Sequence, residues 1–136
     1  MDAPHTVTLR VTYGDTDQMG VVYYANYLRW FEAARGAWLR AHQLPYAEIE
    51  AMGALFPVTE AHVNYRQPAR YDEEVAITCW PTQVRAASLR FEYHVRRGEA
   101  LLAQGFTAHA CIDRSGRPRR FPEGVRERLV GGGKVG

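Results

Sequence analysis

The longest amphipathic segment of this chain runs from Tyr24 to His42, and it constrains the fold more than any other feature. Apolar side chains recur in it at spacings of three and four residues, as one face of a helix requires. The segment contains no Pro, and Gly36 is its only weak helix former. At about 1.5 Å per residue such a helix is a rod of roughly 28 Å. Its predicted apolar face consists of Tyr24, Tyr27, Leu28, Phe31, Ala34, Trp38 and Leu39.

Short segments in which apolar and polar residues alternate dominate the rest of the chain, and this alternation predicts strands. The predicted strands are residues 6–13, 56–66, 74–80, 88–95 and 101–112. We also expect a short helix over residues 46–52 and a final helical turn or two within residues 122–130. Pro81, directly after the third strand, predicts a bulge or a sheet edge. One long helix with four consecutive strands after it indicates an α+β fold with a mostly antiparallel sheet.

Length and composition agree with one globular domain. The chain has 136 residues, of which 46% are hydrophobic and 24% charged, and these values are ordinary. We expect the domain to cover residues 1–130 and the Gly-rich end, residues 131–136, to form a flexible tail. The first residues lack a basic segment followed by an apolar one, and no apolar run approaches the length of a membrane helix. A cytoplasmic location is therefore expected.

Several kinds of chemistry find little support in the sequence. The net charge of +2 gives no argument for nucleic-acid binding. Cys79 and Cys111 are isolated and the five His do not cluster, so we expect no disulfide scaffold, no metal site and no cofactor. Ser88 and Ser115 are the only serines, and neither lies in a G-x-S-x-G motif. A serine hydrolase of that type is nearly excluded.

The segment before the long helix places two carboxylates, Asp15 and Asp17, on a predicted turn that ends near Gly20. A carboxylate this close to a helix start is unusual, because free N–H groups and partial positive charge attract anions there. An Asp beside N–H groups that can hold an oxyanion suits the hydrolysis of an ester or thioester. On the residues alone, a turn-stabilising or helix-capping role for Asp17 is the more common alternative.

The run YGDTDQMGVVYYANYLRWFEAAR, residues 13–35, resembles the signature of hotdog-fold acyl-CoA thioesterases of the 4-hydroxybenzoyl-CoA thioesterase family. Residues 56–75 resemble that family's second and third strands, so the similarity extends over most of the chain. The resemblance implies a five-stranded antiparallel sheet wrapped around the long helix. It implies hydrolysis of an acyl-CoA thioester to a free acid and coenzyme A. It also implies dimers, and commonly tetramers, with active sites at the subunit boundary.

The same resemblance implies roles for particular residues. Asp17 matches the catalytic carboxylate, which serves as nucleophile on the thioester carbonyl or as general base for water. Gly20 is expected to let the backbone bend close to the substrate. The backbone N–H of Tyr24 is the expected oxyanion donor, at a position where many short-chain members of the family have His. Asp15 is expected to shape the turn. Substrate contacts are expected from Tyr23, Glu32, Arg85, Ser88 and Arg90.

Two charged residues on the predicted helix allow two interpretations. Arg35 projects from the apolar face, so it should meet a carboxylate or backbone carbonyls. Glu32, three residues earlier, is the nearest carboxylate in sequence, and a structural ion pair between the two is one interpretation. In the other, Glu32 lines the acyl pocket.

Self-association is expected because a single helix covers only one face of a sheet. We predict Trp30 on the flank of the helix, away from the core, where it would serve a subunit contact. Two other functions stay open. A hotdog dehydratase would need a His near the helix start, and none lies between His5 and His42. A non-catalytic acyl-CoA-binding protein would share the fold and lack the carboxylate.

Overall fold

One antiparallel sheet of five strands, in the order β1-β3-β4-β5-β2, packs against a single long helix. The computed structural model describes residues 3–131. A 3₁₀ turn over Tyr13–Asp15 precedes the long helix. The elements in chain order are β1 (His5–Arg10), α1 (Asn26–Ala41), α2 (Tyr46–Ala51), β2 (Val58–Tyr65), β3 (Glu74–Thr82), β4 (Ser88–Arg97), β5 (Ala100–Ala110) and α3 (Val125–Gly131). The predicted α+β fold with a five-stranded antiparallel sheet is confirmed.

The core lies between α1 and one face of the sheet. Strands β3 and β4 alternate strictly between buried and partly buried residues over most of their length, as strands with one face against a helix do. The ring of Phe31 stacks on Tyr93 with centroids 4.0 Å apart, and Trp38 meets Phe91 edge-on at 5.7 Å. Each such aromatic pair stabilises the fold by about 1 kcal/mol beyond the area it buries.

The apolar face of α1 differs from the prediction at three positions. Trp30 is buried, with 5% of its surface exposed, and its ring packs 4.8 Å from that of Tyr27, so its prediction as a residue outside the core is wrong. Leu28 and Tyr24 are instead exposed, and Tyr24 precedes the helix. At 3.6 residues per turn, Trp30 lies about 40° from Ala34, inside the buried stripe.

Strand β2 is attached to the sheet on one side only. It pairs with β5, and no other described strand lies along its outer edge. Seven of its eight residues are exposed, and Val63 alone is partly buried. The strand therefore presents polar backbone groups and both of its faces to the surroundings.

The predicted boundaries differ from the observed ones by a few residues. Pro81 lies inside β3 rather than after it. Strand β1 pairs with β3 only as far as Cys79, so Pro81 occupies a stretch that forms a sheet edge, as predicted. Gly131, predicted as the first residue of the tail, is the last residue of α3. The rest of the predicted tail, residues 132–136, lies outside the described residues. Within residues 3–131, no helix is long and apolar enough to cross a membrane.

Candidate active site

The turn before α1 is built on hydrogen bonds to Asp15. Its carboxylate Oδ2 accepts the N–H of Thr12 at 2.8 Å. Its backbone carbonyl accepts the N–H of Tyr23 at 2.8 Å and the side-chain amide of Asn26 at 2.9 Å. These bonds tie the residues before the turn to those at the helix start. Asp15 therefore shapes the turn, as the sequence predicted.

Asp17 lies at the base of a tight loop two residues further along. Its N–H donates to the carbonyl of Val21 at 2.9 Å, and its own carbonyl accepts the N–H of Gly20 at 3.0 Å. Its carboxylate Oδ1 accepts the N–H of Met19 at 2.8 Å. Within the described part of the chain Oδ2 forms no hydrogen bond, and the residue is only partly buried. Asp17 thus stabilises its turn with one oxygen and leaves the other free to meet a ligand.

Gly20 closes this loop in a conformation that favours glycine. Its φ is +81°, and a Cβ built on it would meet nothing within 4 Å. The backbone conformation, rather than a lack of space, is therefore what requires glycine here. Substitution by a residue with a Cβ would strain the loop by about 1 kcal/mol.

The start of α1 is open to a ligand. The helix begins at Asn26 without a side-chain cap, and its first three N–H groups bond to carbonyls three residues earlier. The N–H groups of Tyr24 and Ala25 donate to no residue among those described. Two free donors and the positive end of the helix dipole therefore lie a few residues after Asp17.

A pocket of about 280 Å³ lies beside this helix start. Tyr65, at the end of β2, joins it to α1, since its hydroxyl donates to the Tyr24 carbonyl at 2.8 Å and its ring meets Tyr27 edge-on at 5.0 Å. The pocket is lined by Val21, Val22, Tyr24, Tyr27, Tyr65, Arg66, Gln67 and Pro68. Neither Tyr65 nor Arg66 was predicted as a site residue. The only sequence signal for these two residues was their position directly before Gln67-Pro68, at the end of a predicted strand.

Tyr23 lies beside Tyr24, which lines this pocket. Its ring packs 4.7 Å from that of Tyr24, and 45% of its surface is exposed. The hydrogen bond with Tyr24 raises the pKa of the Tyr23 phenol above its ordinary value, and the negative charge of Asp17 adds a smaller part of the effect. A substrate contact by Tyr23 stays a prediction.

A larger cavity of about 810 Å³ lies along α1, and we call it the helix-side cavity. Glu32, Arg35 and Asp15 all border it. No ion pair joins Glu32 to Arg35 among the residues described, so the structural interpretation of this pair is wrong. Arg35 instead donates to the hydroxyl of Tyr93 at 3.4 Å. The apolar wall of the cavity is formed by Leu9, Trp30, Leu39, Tyr46, Phe56 and Phe91.

A buried polar chain extends from this cavity into the sheet. The Tyr93 hydroxyl is 2.6 Å from Thr107 Oγ1, which is 2.8 Å from His109 Nε2. His109 Nδ1 is 3.1 Å from the carbonyl of Phe56. Burial lowers the pKa of His109 to about 4 and raises that of Tyr93 to about 12. Both side chains are therefore neutral near pH 7.

The predicted coenzyme A contacts Arg85 and Ser88 lie far from Asp17 in this chain. Ser88 begins β4, and the N–H of Arg85 donates to its carbonyl at 2.8 Å. Arg97, at the other end of β4, donates to the carbonyl of Pro68 beside the helix start at 3.1 Å. Nine residue steps of about 3.3 Å put roughly 30 Å between the two ends of β4. A single subunit does not bring these residues together.

Arg90 lies on the face of the sheet that α1 does not cover. Its guanidinium stands 3.4 Å from the ring centre of Phe106, a cation–π contact. Its Nε is buried without a hydrogen bond and lies 3.6 Å from the carboxylate of Glu92. Arg90 is thus engaged within the sheet surface, and a role in binding coenzyme A stays a prediction.

An antiparallel five-stranded sheet on one long helix, with a partly free carboxylate just before an uncapped helix start, defines a thioesterase-type hotdog protein. Residues 11–129 match the model of the thioesterase-like superfamily, and the chain belongs to this family. The predicted family, fold and class of enzyme are confirmed.

Individual relatives agree with this assignment. The acyl-CoA thioester hydrolase YbgC of Escherichia coli is 34% identical over 119 residues, which cover 86% of this chain and 89% of that protein. The crystal structure of protein TT1821 from Thermus thermophilus has a TM-score of 0.88 at 38% identity and covers 93% of this chain and 95% of its own. Slr0204, a 1,4-dihydroxy-2-naphthoyl-CoA thioesterase from Synechocystis, has a TM-score of 0.85 at 25% identity and covers 93% of this chain and 96% of its own.

Proposed function

We propose that this protein hydrolyses acyl-CoA thioesters to a free acid and coenzyme A. The observation that carries the proposal is the proximity, on one short segment, of a half-free Asp17 carboxylate and two unbonded N–H groups at an uncapped helix start. Relatives whose names specify acyl-CoA substrates support the choice of thioester. A cytoplasmic location and a reaction without a cofactor stay predictions from the sequence.

In the proposed reaction the thioester carbonyl lies at the start of α1. The N–H groups of Tyr24 and Ala25 hold the oxygen as it gains negative charge. Asp17 then acts in one of two ways. It attacks the carbonyl carbon, expels the coenzyme A thiolate and leaves an anhydride that water hydrolyses, or it takes a proton from a water molecule that attacks directly. Single-turnover hydrolysis in isotopically labelled water distinguishes them, because label entering the Asp17 carboxylate indicates the anhydride.

The first test is the release of free thiol from acetyl-, hexanoyl- and benzoyl-CoA, followed with a thiol reagent. Release from at least one substrate, above the rate without protein, supports the proposal. Binding of acyl-CoA without release would favour the non-catalytic binding protein. Reversible hydration of an enoyl-CoA without release would favour the dehydratase.

The Tyr24 side chain is expected to be dispensable for the chemistry. Only its backbone N–H has a proposed role, and a phenol hydroxyl is a poor base. We expect Tyr24→Phe to keep most of its turnover while altering the preference among the three acyl groups. The measurement is kcat on each substrate for wild type and variant. A loss of roughly thirtyfold on all three, equivalent to about 2 kcal/mol in the barrier, would show that the hydroxyl takes part.

We propose that the active unit is a dimer or tetramer with its sites between subunits. The outer edge of β2 is free among the described residues, and Tyr23, Tyr24 and Tyr65 beside it are all at least 45% exposed. Antiparallel pairing of the β2 edges of two subunits would cover both the free edge and these tyrosines. Within one subunit, Arg85 and Ser88 lie at the far end of the sheet from Asp17. A second subunit would supply its own Arg85 and Ser88 to the site around Asp17 of the first.

Light scattering at micromolar concentration is expected to give at least twice the 15.4 kDa mass of one chain. Val58→Lys, which places a charge on β2, should shift the mass toward one chain. Val130→Lys is the matched control, because Val130 is similarly exposed, at 52% against 45%, but lies on α3. A wild-type protein that stays monomeric would remove the assembly and the shared site together.

A further inference from the structure

Arg35 lines the helix-side cavity and forms no ion pair with any residue that the structure describes. It is partly buried, and its one hydrogen bond within the described chain is the 3.4 Å contact with the neutral Tyr93 hydroxyl. A guanidinium carries five N–H donors, so most of its hydrogen-bonding capacity is unused. A partly buried guanidinium with unused donors costs free energy unless an anion pairs with it.

The groups around Arg35 do not supply that anion. Burial raises the pKa of the Cys79 thiol and of the Tyr93 phenol to about 12, although the positive charge of Arg35 acts to lower both. His109 is neutral at pH 7 because burial lowers its pKa to about 4. The Asp15 carboxylate is held by Thr12, and Glu32 is exposed and forms no ion pair with Arg35.

The cavity has the shape and charge to take an anion with an apolar body. Its volume of about 810 Å³ is within the range of small-molecule sites, which are mostly apolar with a few well-placed polar groups. Its lining combines aromatic and aliphatic side chains with the partly buried Arg35 and the buried His109. The lining carries Arg29, Arg35 and Arg40 against the carboxylates of Asp15 and Glu32, and a fourth arginine, Arg10, pairs with Asp72 and Glu74.

We propose that the helix-side cavity binds an organic carboxylate, whose anionic group pairs with Arg35 and whose apolar body lies against the aromatic wall. A guanidinium suits this role because its planar fork matches the two oxygens of a carboxylate. The carboxylate has two sources. It belongs to the far end of an acyl group still attached to coenzyme A, or to a free acid such as the product of hydrolysis.

The binding test uses calorimetric titration of the protein with benzoate and hexanoate, and with benzamide and hexanamide as uncharged analogues. We expect at least one acid to bind at least about tenfold more tightly than its amide, the scale of a charge-assisted hydrogen bond. Arg35→Gln should remove this difference, and Arg35→Lys should keep part of it. Arg120→Gln removes one exposed positive charge that does not border the cavity, and should leave binding unchanged.

Equal binding of acids and amides by wild type, or no binding of either acid, overturns the proposal. So does a folded Arg35→Gln protein that binds the acids as wild type does. Thermal unfolding of each variant shows whether it is folded, and the comparison of acid with amide in wild type needs no variant at all.

A kinetic test separates the two sources and rests on the proposed function. Glutaryl-CoA and valeryl-CoA have acyl chains of the same length, and only the first ends in a carboxylate. A preference for glutaryl-CoA in kcat/KM that Arg35→Gln abolishes, with valeryl-CoA unaffected, assigns the site to the acyl group. Acid binding without this preference assigns it to a free acid. Because calorimetry requires no turnover, acid binding without any thiol release would reject the thioesterase and leave the carboxylate site standing.

Discussion

Asp17→Asn is expected to reduce acyl-CoA hydrolysis at least about a hundredfold, the scale for losing a positioned base or nucleophile. The amide keeps an oxygen that can accept the Met19 N–H, which Asp17 Oδ1 accepts at 2.8 Å in the wild type. The turn should therefore persist, and the variant should fold and bind coenzyme A. The amide has no negative charge, so it neither attacks a thioester nor takes a proton from water. Thiol release at saturating substrate and calorimetric binding of coenzyme A measure the two properties separately.

Asp15→Asn is the matched control for this substitution. It makes the same chemical change two residues away, in a side chain whose oxygen accepts the Thr12 N–H at 2.8 Å. We expect a loss well below that of Asp17→Asn. If Asp15→Asn proves the more damaging of the two, the roles are reversed. Full activity in purified Asp17→Asn would end the proposed mechanism.

Gly105→Ala is expected to destabilise the fold by about 3 kcal/mol or more, a large effect for one methyl group. A Cβ at this position would overlap the carbonyl oxygen of His62 on β2 and press against the ring of Phe31 on α1. Neither neighbour can move easily, since one is backbone and the other is stacked on Tyr93 in the core. Chemical denaturation gives the free energy of unfolding. An unchanged midpoint would mean that β2 and β5 lie far enough apart to accept the methyl group.

Gly36→Ala tests whether adding the same methyl group is harmful in general. Gly36 lies in the middle of α1, and its nearest neighbour would be the Arg40 guanidinium at 3.5 Å, an ordinary contact. Alanine is the better helix former by about 1 kcal/mol, so this variant should be stabilised. A loss of stability in Gly105→Ala together with a gain in Gly36→Ala would locate the strain at the close approach of β2 to β5.

The sequence predicted the elements of this fold well because periodicity is a local property. The long helix, the four strands after it and the turn at Asp15 all follow from the spacing of neighbouring residues. The misplacement of Trp30 came from the phase of the helix. Counting the stripe from Tyr24, which lies before the helix start, rotated its centre toward Leu28.

The site was only partly predictable, because its parts meet through tertiary pairing. Asp17 and Tyr24 lie on one segment of the sequence, so both could be chosen as candidates from it. Tyr65 reaches the Tyr24 carbonyl only because β2 pairs with β5 and ends beside the helix start. The cavity around Arg35 joins residues of α1, β1, α2 and the sheet. No short-range pattern indicates that Arg35 meets a neutral Tyr93 rather than Glu32.

The single-sided attachment of β2 also bears on how the chain avoids aggregation. An exposed edge strand is a template onto which any other extended chain can add, and seven of the eight β2 residues are exposed. Glu60 is the only acidic side chain of β2, so charge gives this edge limited protection. Association of subunits through this edge would therefore protect the strand from other chains as well as complete a site. A variant that dissociates would expose an aggregation-prone edge strand. Loss of activity and loss of solubility are therefore expected in the same variants.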